Sequence, residues 1–309
     1  MTPPNRHSRR CGAPDDVHVH RVSEHDPVGR DERGHRSGDR GPAEAAHLEA
    51  VAAFARESGV DALEVRDPGA RDLEALTESL GLPPGGYHDG AVVPLAVGLE
   101  LVRTMLREEG AWCRLEAPGV FFTHVGYDQH VYVGTAGPCP AAVTRTRELG
   151  LFAEPIPDSP YDPCLTPPVT HDAADADFWT WLSGAGGLLE EQHLNNTARW
   201  HRVPAEAGAL RAGLAPRALL RVWPGLDPDV PGVLAGVGEH GGVVEAVWED
   251  AGGALRSRLL DETDYPALPA LLSGARAARL IPGAVDARVP LRTAVLPDAD
   301  GVVRARWPE

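Results

Sequence analysis

The stretch LAVGLELVRTMLREEGAWCRLEAPGVFFTHVGYDQHVYV, residues 95–133, carries both periodicities that decide the fold. Its first half repeats at helical spacing. Val97, Leu101, Met105 and Leu106 fall on one side, Glu100, Arg103, Arg107 and Glu108 lie elsewhere, and Gly110 ends the run, so a helix is expected over 95–109. Its second half alternates with period two. Strands are expected over 112–116, 120–125 and 130–133, with turns at Pro118-Gly119 and at Gly126-Tyr127-Asp128-Gln129. A four-residue turn at the second place pairs Val125 with His130. Phe121, Thr123, Val125, His130 and Tyr132 then share one face, and Phe122, His124, Val131 and Val133 the other. The two histidines point apart, which speaks against a shared metal site.

Working outward, residues 1–16 read as a flexible tail, VHVHRV (17–22) as a first strand and 26–41 as a loop. A helix follows over Pro42–Ser58, a strand over Val60–Val65, a short helix through Leu73, Leu76 and Leu80, and a Gly-rich loop over 83–90. A helix over 141–149 closes the half. Six prolines between residues 154 and 171 suit neither a helix nor a central strand, so 154–171 is expected to link an N-terminal lobe (17–153) to a C-terminal lobe (172–309).

In the second lobe a helix is expected over 178–200, broken near Gly184–Gly187. Next come a strand over 217–223, a short helix capped by Asp227 or Asp229, and a hairpin joining 243–249 to 254–261. In that hairpin Trp248 would face Leu255, Val244 would face Leu259, and Glu245 would oppose Arg258. A helix over 265–280 and a hairpin from 290–296 to 301–307 complete the lobe. The expected class is α+β: two lobes, each a mostly antiparallel sheet with helices on one face. Both halves read strand, helix, hairpin, helix, which raises the expectation of ferredoxin-like units.

Composition narrows the chemistry. The chain has 309 residues and a formal net charge of −16. All its basic residues besides histidine are arginine, so a lysine Schiff base or a P-loop lysine is excluded. Residues 1–43 are close to neutral, and the acidic surplus lies beyond them. Such a field repels nucleic acid unless arginines cluster, and it attracts a basic protein. The four cysteines have no CxxC spacing, which fits a reducing cytoplasm. Arg9-Arg10 is followed by no apolar segment, so no export signal and no membrane span are expected.

No catalytic motif declares itself. Gly236-Val237-Gly238-Glu239-His240-Gly241 matches GxGxxG, but a helix precedes it and a strand follows, the reverse of the dinucleotide-binding context. No nucleotide cofactor and no metal are expected. Glu190–Arg202 is dense in polar side chains; on a helix Glu191, Asn195 and Arg199 would share a face, and Gln192, Asn196 and Trp200 another. The hairpin at 121–132 concentrates aromatic and polar groups beside a tight turn. Phe121, Tyr127, Asp128, His130 and Tyr132, with Arg114 nearby, are the candidate binding residues.

The stretches HVHRVSEHDPVGRDERGH (18–35), AVGLELVRTMLREEGAWCRLE (96–116) and HVGYDQHVYVG (124–134) resemble an uncharacterised protein family of high-GC bacteria loosely labelled RNA-binding protein. The resemblance covers most of residues 17–165 and implies RNA as a ligand. The expected function is therefore a non-enzymatic binding protein for RNA. An acidic, immunity-type inhibitor of a basic protein is the alternative, and a hydrolase using His88 or His130 is a third.

Overall fold

The computed structural model describes residues 17–24, 41–159, 171–195, 197–203, 208–239, 242–283 and 288–307. The expected tail at 1–16, nearly all of the loop at 26–41 and most of the proline-rich stretch lie outside the described residues. The chain forms two compact units. The first runs up to residue 159 and takes back Arg306 and Trp307; the second runs from 171 to Ala305. The α+β class holds. Among the described residues, no helix is long and apolar enough to cross a membrane.

The first unit is one antiparallel sheet of seven strands, in the order β3-β2-β4-β5-β6-β1-β7. These are β1 (His18–Ser23), β2 (Ala62–Ala70), β3 (Val92–Pro94), β4 (Ala111–Ala117), β5 (Phe121–Val125), β6 (Val131–Thr135) and β7 (Phe152–Ile156). The helices are α1 (Pro42–Glu57), α2 (Leu73–Ser79), α3 (Leu95–Leu106) and α4 (Pro140–Glu148). Helix α1 touches both α3 and α4, and all three touch the sheet, so they share one face. Against it pack Leu63, Val65, Cys113, Leu115, Phe121, Val131 and Val133, all buried. Phe152–Ile156, whose end was expected to open the linker, is instead an edge strand paired with β1. An edge tolerates Pro155, because a proline there need not donate to a second neighbour.

The register of the β5–β6 hairpin differs from expectation by one residue. Val125 pairs with Val131, and His124 pairs with Tyr132. Tyr132 therefore shares its face with Phe122 and His124, away from Phe121. The turn is longer because the Gly126 N–H donates to the His130 carbonyl at 2.9 Å and Gln129 sits at φ 62°. A type I turn ending in a left-handed residue makes a bulge and adds one residue to the loop. The hairpin of the second unit repeats the device: the Asp250 N–H donates to the Ala254 carbonyl at 2.9 Å, and Gly253 sits at φ 85°. Trp248 consequently faces Arg256, Val244 faces Leu260, and Glu245 faces Leu259.

The second unit contains α5 (Ala176–Ala185), β8 (Leu188–Leu194), β9 (Thr197–Arg202), α6 (Gly208–Ala212), β10 (Leu219–Trp223), α7 (Val230–Ala235), β11 (Val244–Glu249), β12 (Leu255–Leu260), α8 (Leu268–Leu271), β13 (Ala277–Pro282) and β14 (Arg292–Val295). Two sheets form, β14-β10-β8-β9 and β12-β11-β13. Helix α5 covers the first through Phe178, Trp179 and Leu182. Leu268 and Leu272 cover the second together with Val230, Val233 and Leu234 of α7. Leu188, Trp223, Val247 and Ile281 join the two sheets face to face.

This unit overturns four expectations. The helix at 178–200 stops at Ala185, because Gly186 and Gly187 take φ of 66° and 96°, and a hairpin follows it; Glu191 and Arg199 are cross-strand partners. The helix at 265–280 is a single turn plus a 3-10 segment, after which Ala277–Pro282 is a strand pairing with β11. The strand at 292–295 pairs with β10, and no strand forms over 301–307. The two-sheet layering also rules out a repeat of the first unit's architecture here.

Gly134 faces Phe122 across the sheet, and a Cβ at Gly134 would stand 2.0 Å from the Phe122 ring. The ring covers the glycine, so neither residue can change alone without loss. Gly134→Ala should destabilise the protein by about 1–3 kcal/mol in urea unfolding. Adding Phe122→Ala should recover part of that loss, because the two sites are in contact. Strict additivity of the two substitutions would contradict this packing.

Candidate functional site

The outer face of the first sheet, away from the helices, is unusually charged for a buried surface. On β2 and β4 the alternation places Glu64, Arg66, Arg114 and Glu116 on it, with Glu64 opposite Glu116 and Arg66 opposite Arg114. Between Arg66 and Gly69 the register shifts, and Asp67 adopts φ 49°. This bulge turns the Asp67 carboxylate to within 2.7 Å of Arg114 Nη1. Arg114 Nε donates to Glu116. Arg66 Nη1 donates to Asp89 at 2.9 Å, and Arg66 also pairs with Glu64. Asp89, brought in by the loop before β3, accepts from the Asp67 N–H at 3.2 Å with its second oxygen. Burial pushes the Asp67 carboxyl up, against the pull of Arg114.

Farther along the same face the sheet becomes aromatic. His124 is fully buried and stacks on Tyr132, with centroids 5.0 Å apart and planes 7° apart. His124 Nε2 lies 3.0 Å from Ser159 Oγ. Burial lowers its pKa to about 3. Tyr132 is 4% exposed, and its hydroxyl donates to Asp128 Oδ2 at 2.7 Å. The other Asp128 oxygen accepts from the His130 N–H at 3.1 Å. Burial works against ionising Asp128, but the bonds from His130 and Tyr132 outweigh it and hold the carboxyl well below its usual range.

At the tip of this hairpin lies a cleft of about 300 Å³, lined by Met105, Glu108, Trp112, Val125, Tyr127 and Gln129, with backbone from Gly69, Gly110 and Gly126. Tyr127 is 82% exposed. The Trp112 indole N–H is buried, with no acceptor among the described residues. Gln129 Nε2 donates to Glu108 Oε1 at 2.7 Å and so ties the turn to the end of α3. Below the cleft the Tyr87 hydroxyl donates to the Trp112 carbonyl at 3.0 Å. Burial pushes the neighbouring Cys113 thiol up to about 12, so it stays protonated.

Of the six expected binding residues, the structure gathers Tyr127, Asp128, His130 and Tyr132 at one hairpin. Tyr127 stands out furthest to solvent there. Phe121 faces the helices, and Arg114 is held between Asp67 and Glu116. Trp112, Glu108 and Met105 were not anticipated, although the alternation Trp112, Arg114, Glu116 already placed the indole on the charged face. His88 Nδ1 lies 2.9 Å from the Asp89 carbonyl. Among the described residues, no three His, Cys, Asp or Glu side chains are grouped so as to hold a metal ion. No protein family, no curated protein and no solved structure matches the chain.

The buried histidine makes stability depend on pH. The unfolded chain protonates His124 near pH 6.5, while the folded chain resists until about 3. Stability should therefore fall as pH drops from about 6.5 towards 3, at roughly 1.4 kcal/mol per unit for this one group. His20 and His193, both lowered by burial, act in the same direction. Urea unfolding of His124→Phe across that window should give a shallower slope than the natural chain. An unchanged slope would assign the acid sensitivity elsewhere.

Proposed function

We propose that this chain is a non-enzymatic binding protein whose partner is a basic polypeptide, and that a basic side chain of the partner enters the cleft at the β5–β6 tip. The composition of the cleft carries this reading. It offers the Trp112 and Tyr127 rings and the Glu108 carboxylate, a combination that favours a guanidinium or ammonium group. The backbone beside the cleft is held by the Arg71 N–H, which donates to the Gly110 carbonyl at 2.6 Å.

The arginines support the same choice. A phosphate backbone needs uncommitted cations, and most arginines beyond residue 43 are spent on carboxylates within the protein. Arg66, Arg103, Arg107, Arg114, Arg217, Arg221, Arg288 and Arg304 are all paired in this way. RNA is the second reading, carried by the exposed Tyr127 ring, which offers a stacking surface at the hairpin tip. A cytoplasmic location is part of the proposal, and the free, buried thiols of Cys113 and Cys139 support it. We also read β1, α1, β5, β6, α4 and β7 as a ferredoxin-like unit, enlarged by the segment from β2 to β4. The order β7-β1-β6-β5 supports that reading.

The test is a fluorescence titration with an arginine-rich peptide and with a single-stranded RNA oligomer, each at two salt concentrations. The peptide should bind. Tyr127→Ala combined with Glu108→Gln should weaken it about three- to tenfold with an unchanged melting temperature, the sum of a cation–π contact and an exposed ion pair. Unaltered affinity in the double variant would reject the cleft. Salt-sensitive RNA binding without peptide binding would put the second reading first.

A further inference from the structure

After the second unit the chain returns to the first, at Arg306 and Trp307. Arg306 Nη1 lies 3.0 Å from Glu116 Oε2, and the Arg306 N–H donates to Asp89 Oδ2 at 3.0 Å. Trp307 is 3% exposed, while the Arg306 side chain remains 36% exposed. The segment is thus anchored by a buried indole and a backbone bond, with a guanidinium laid across the charged face of the sheet.

The charge balance of that face depends on the segment. Glu64, Asp67, Asp89 and Glu116 are four carboxylates, and only Arg66 and Arg114 face them from the sheet itself. Without Arg306 the cluster is short of two positive charges in a place where Asp89, Glu116 and both arginines are largely buried. An uncompensated buried charge is far more costly than a paired one. The network is also not closed on itself, since the buried Arg66 Nε has no acceptor among the described residues.

We infer that the outer face around Glu116 and Asp89 is a second recognition site, for an extended polypeptide segment carrying an arginine followed by an aromatic residue, and that Arg306–Trp307 occupies it in cis. Glu116 takes the guanidinium, Asp89 takes the backbone N–H of the same residue, and the aromatic side chain is buried next to it. A partner presenting the same pair displaces the internal segment. The inference shares with the proposed function only the basic character of the partner. The cleft at Tyr127 takes no part in it.

A tethered segment has an effective concentration of the order of millimolar, so the natural chain should resist competition. The probe is a labelled peptide of residues 302–309, VVRARWPE. The full chain carrying Arg306→Ala and Trp307→Ala should bind it at least tenfold more tightly than the natural chain does. Adding Glu116→Gln should abolish that gain. Equal binding by natural and double-variant chains, or none by a double variant with native circular dichroism, would overturn the inference. Should the double variant not fold, full-length Glu116→Gln decides: trypsin should release residues 307–309 at least tenfold faster than from the natural chain, and an unchanged rate would overturn it. Arginine-rich peptide binding that still depends on Tyr127 would show that the first proposal survives such a failure.

Discussion

Three guanidinium groups and four carboxylates share the outer face of the first sheet, and that face can be buried only because each charge meets its opposite. Arg114 lies between Asp67 and Glu116, Arg66 between Glu64 and Asp89, and Arg306 closes on Glu116. Removing one partner of such a pair typically costs about 3–5 kcal/mol. Much local geometry follows from this demand. The left-handed Asp67 and the bulge beside it aim a carboxylate at Arg114. The loop before β3 delivers Asp89 to both Arg66 and the Asp67 N–H. Burial raises the pKa of Asp67, and the neighbouring charges of Asp89 and Glu116 act in the same direction.

The second unit solves the same problem between two sheets. Glu190, 2% exposed, accepts from Arg221 at 3.0 Å, from the Trp223 indole at 2.8 Å and from Arg288 at 2.7 Å. Glu245 accepts from the Trp200 indole at 2.7 Å, and burial together with the charge of Glu190 raises its pKa. Indole donors let these carboxylates be satisfied without bringing in further charge. In both units buried carboxylates are met by arginine side chains.

Where one period ran unbroken, the sequence was legible. Helix α3 and strands β4 to β6 lie within a few residues of their expected places, because apolar spacing and Gly110 leave few alternatives. Turns were less legible. Gln129 gives little sign that it takes φ 62°, and that one conformation flips Tyr132 from the face of Phe121 to that of His124. Polar strands misled most: LLEEQHL reads as part of a polar helix until one knows that Glu190 and Glu191 are both buried and paired. The candidate site was half visible. The hairpin tip stood out by composition, but Trp112 and Glu108 reach it only through the packing of β4 and the end of α3 against the turn.

That tip, with the exposed Tyr127 ring, the Trp112 ring and the Glu108 carboxylate, is the site we propose for a basic side chain of the partner. Chemical-shift mapping of the full chain during titration with an arginine-rich peptide tests this most directly. The Trp112 indole N–H and the amides of Tyr127 and Gln129 should shift together and saturate, while the buried Arg114 Nε–H stays unmoved. Shifts confined to other surfaces, or a moving Arg114 signal with a silent Trp112, would contradict it.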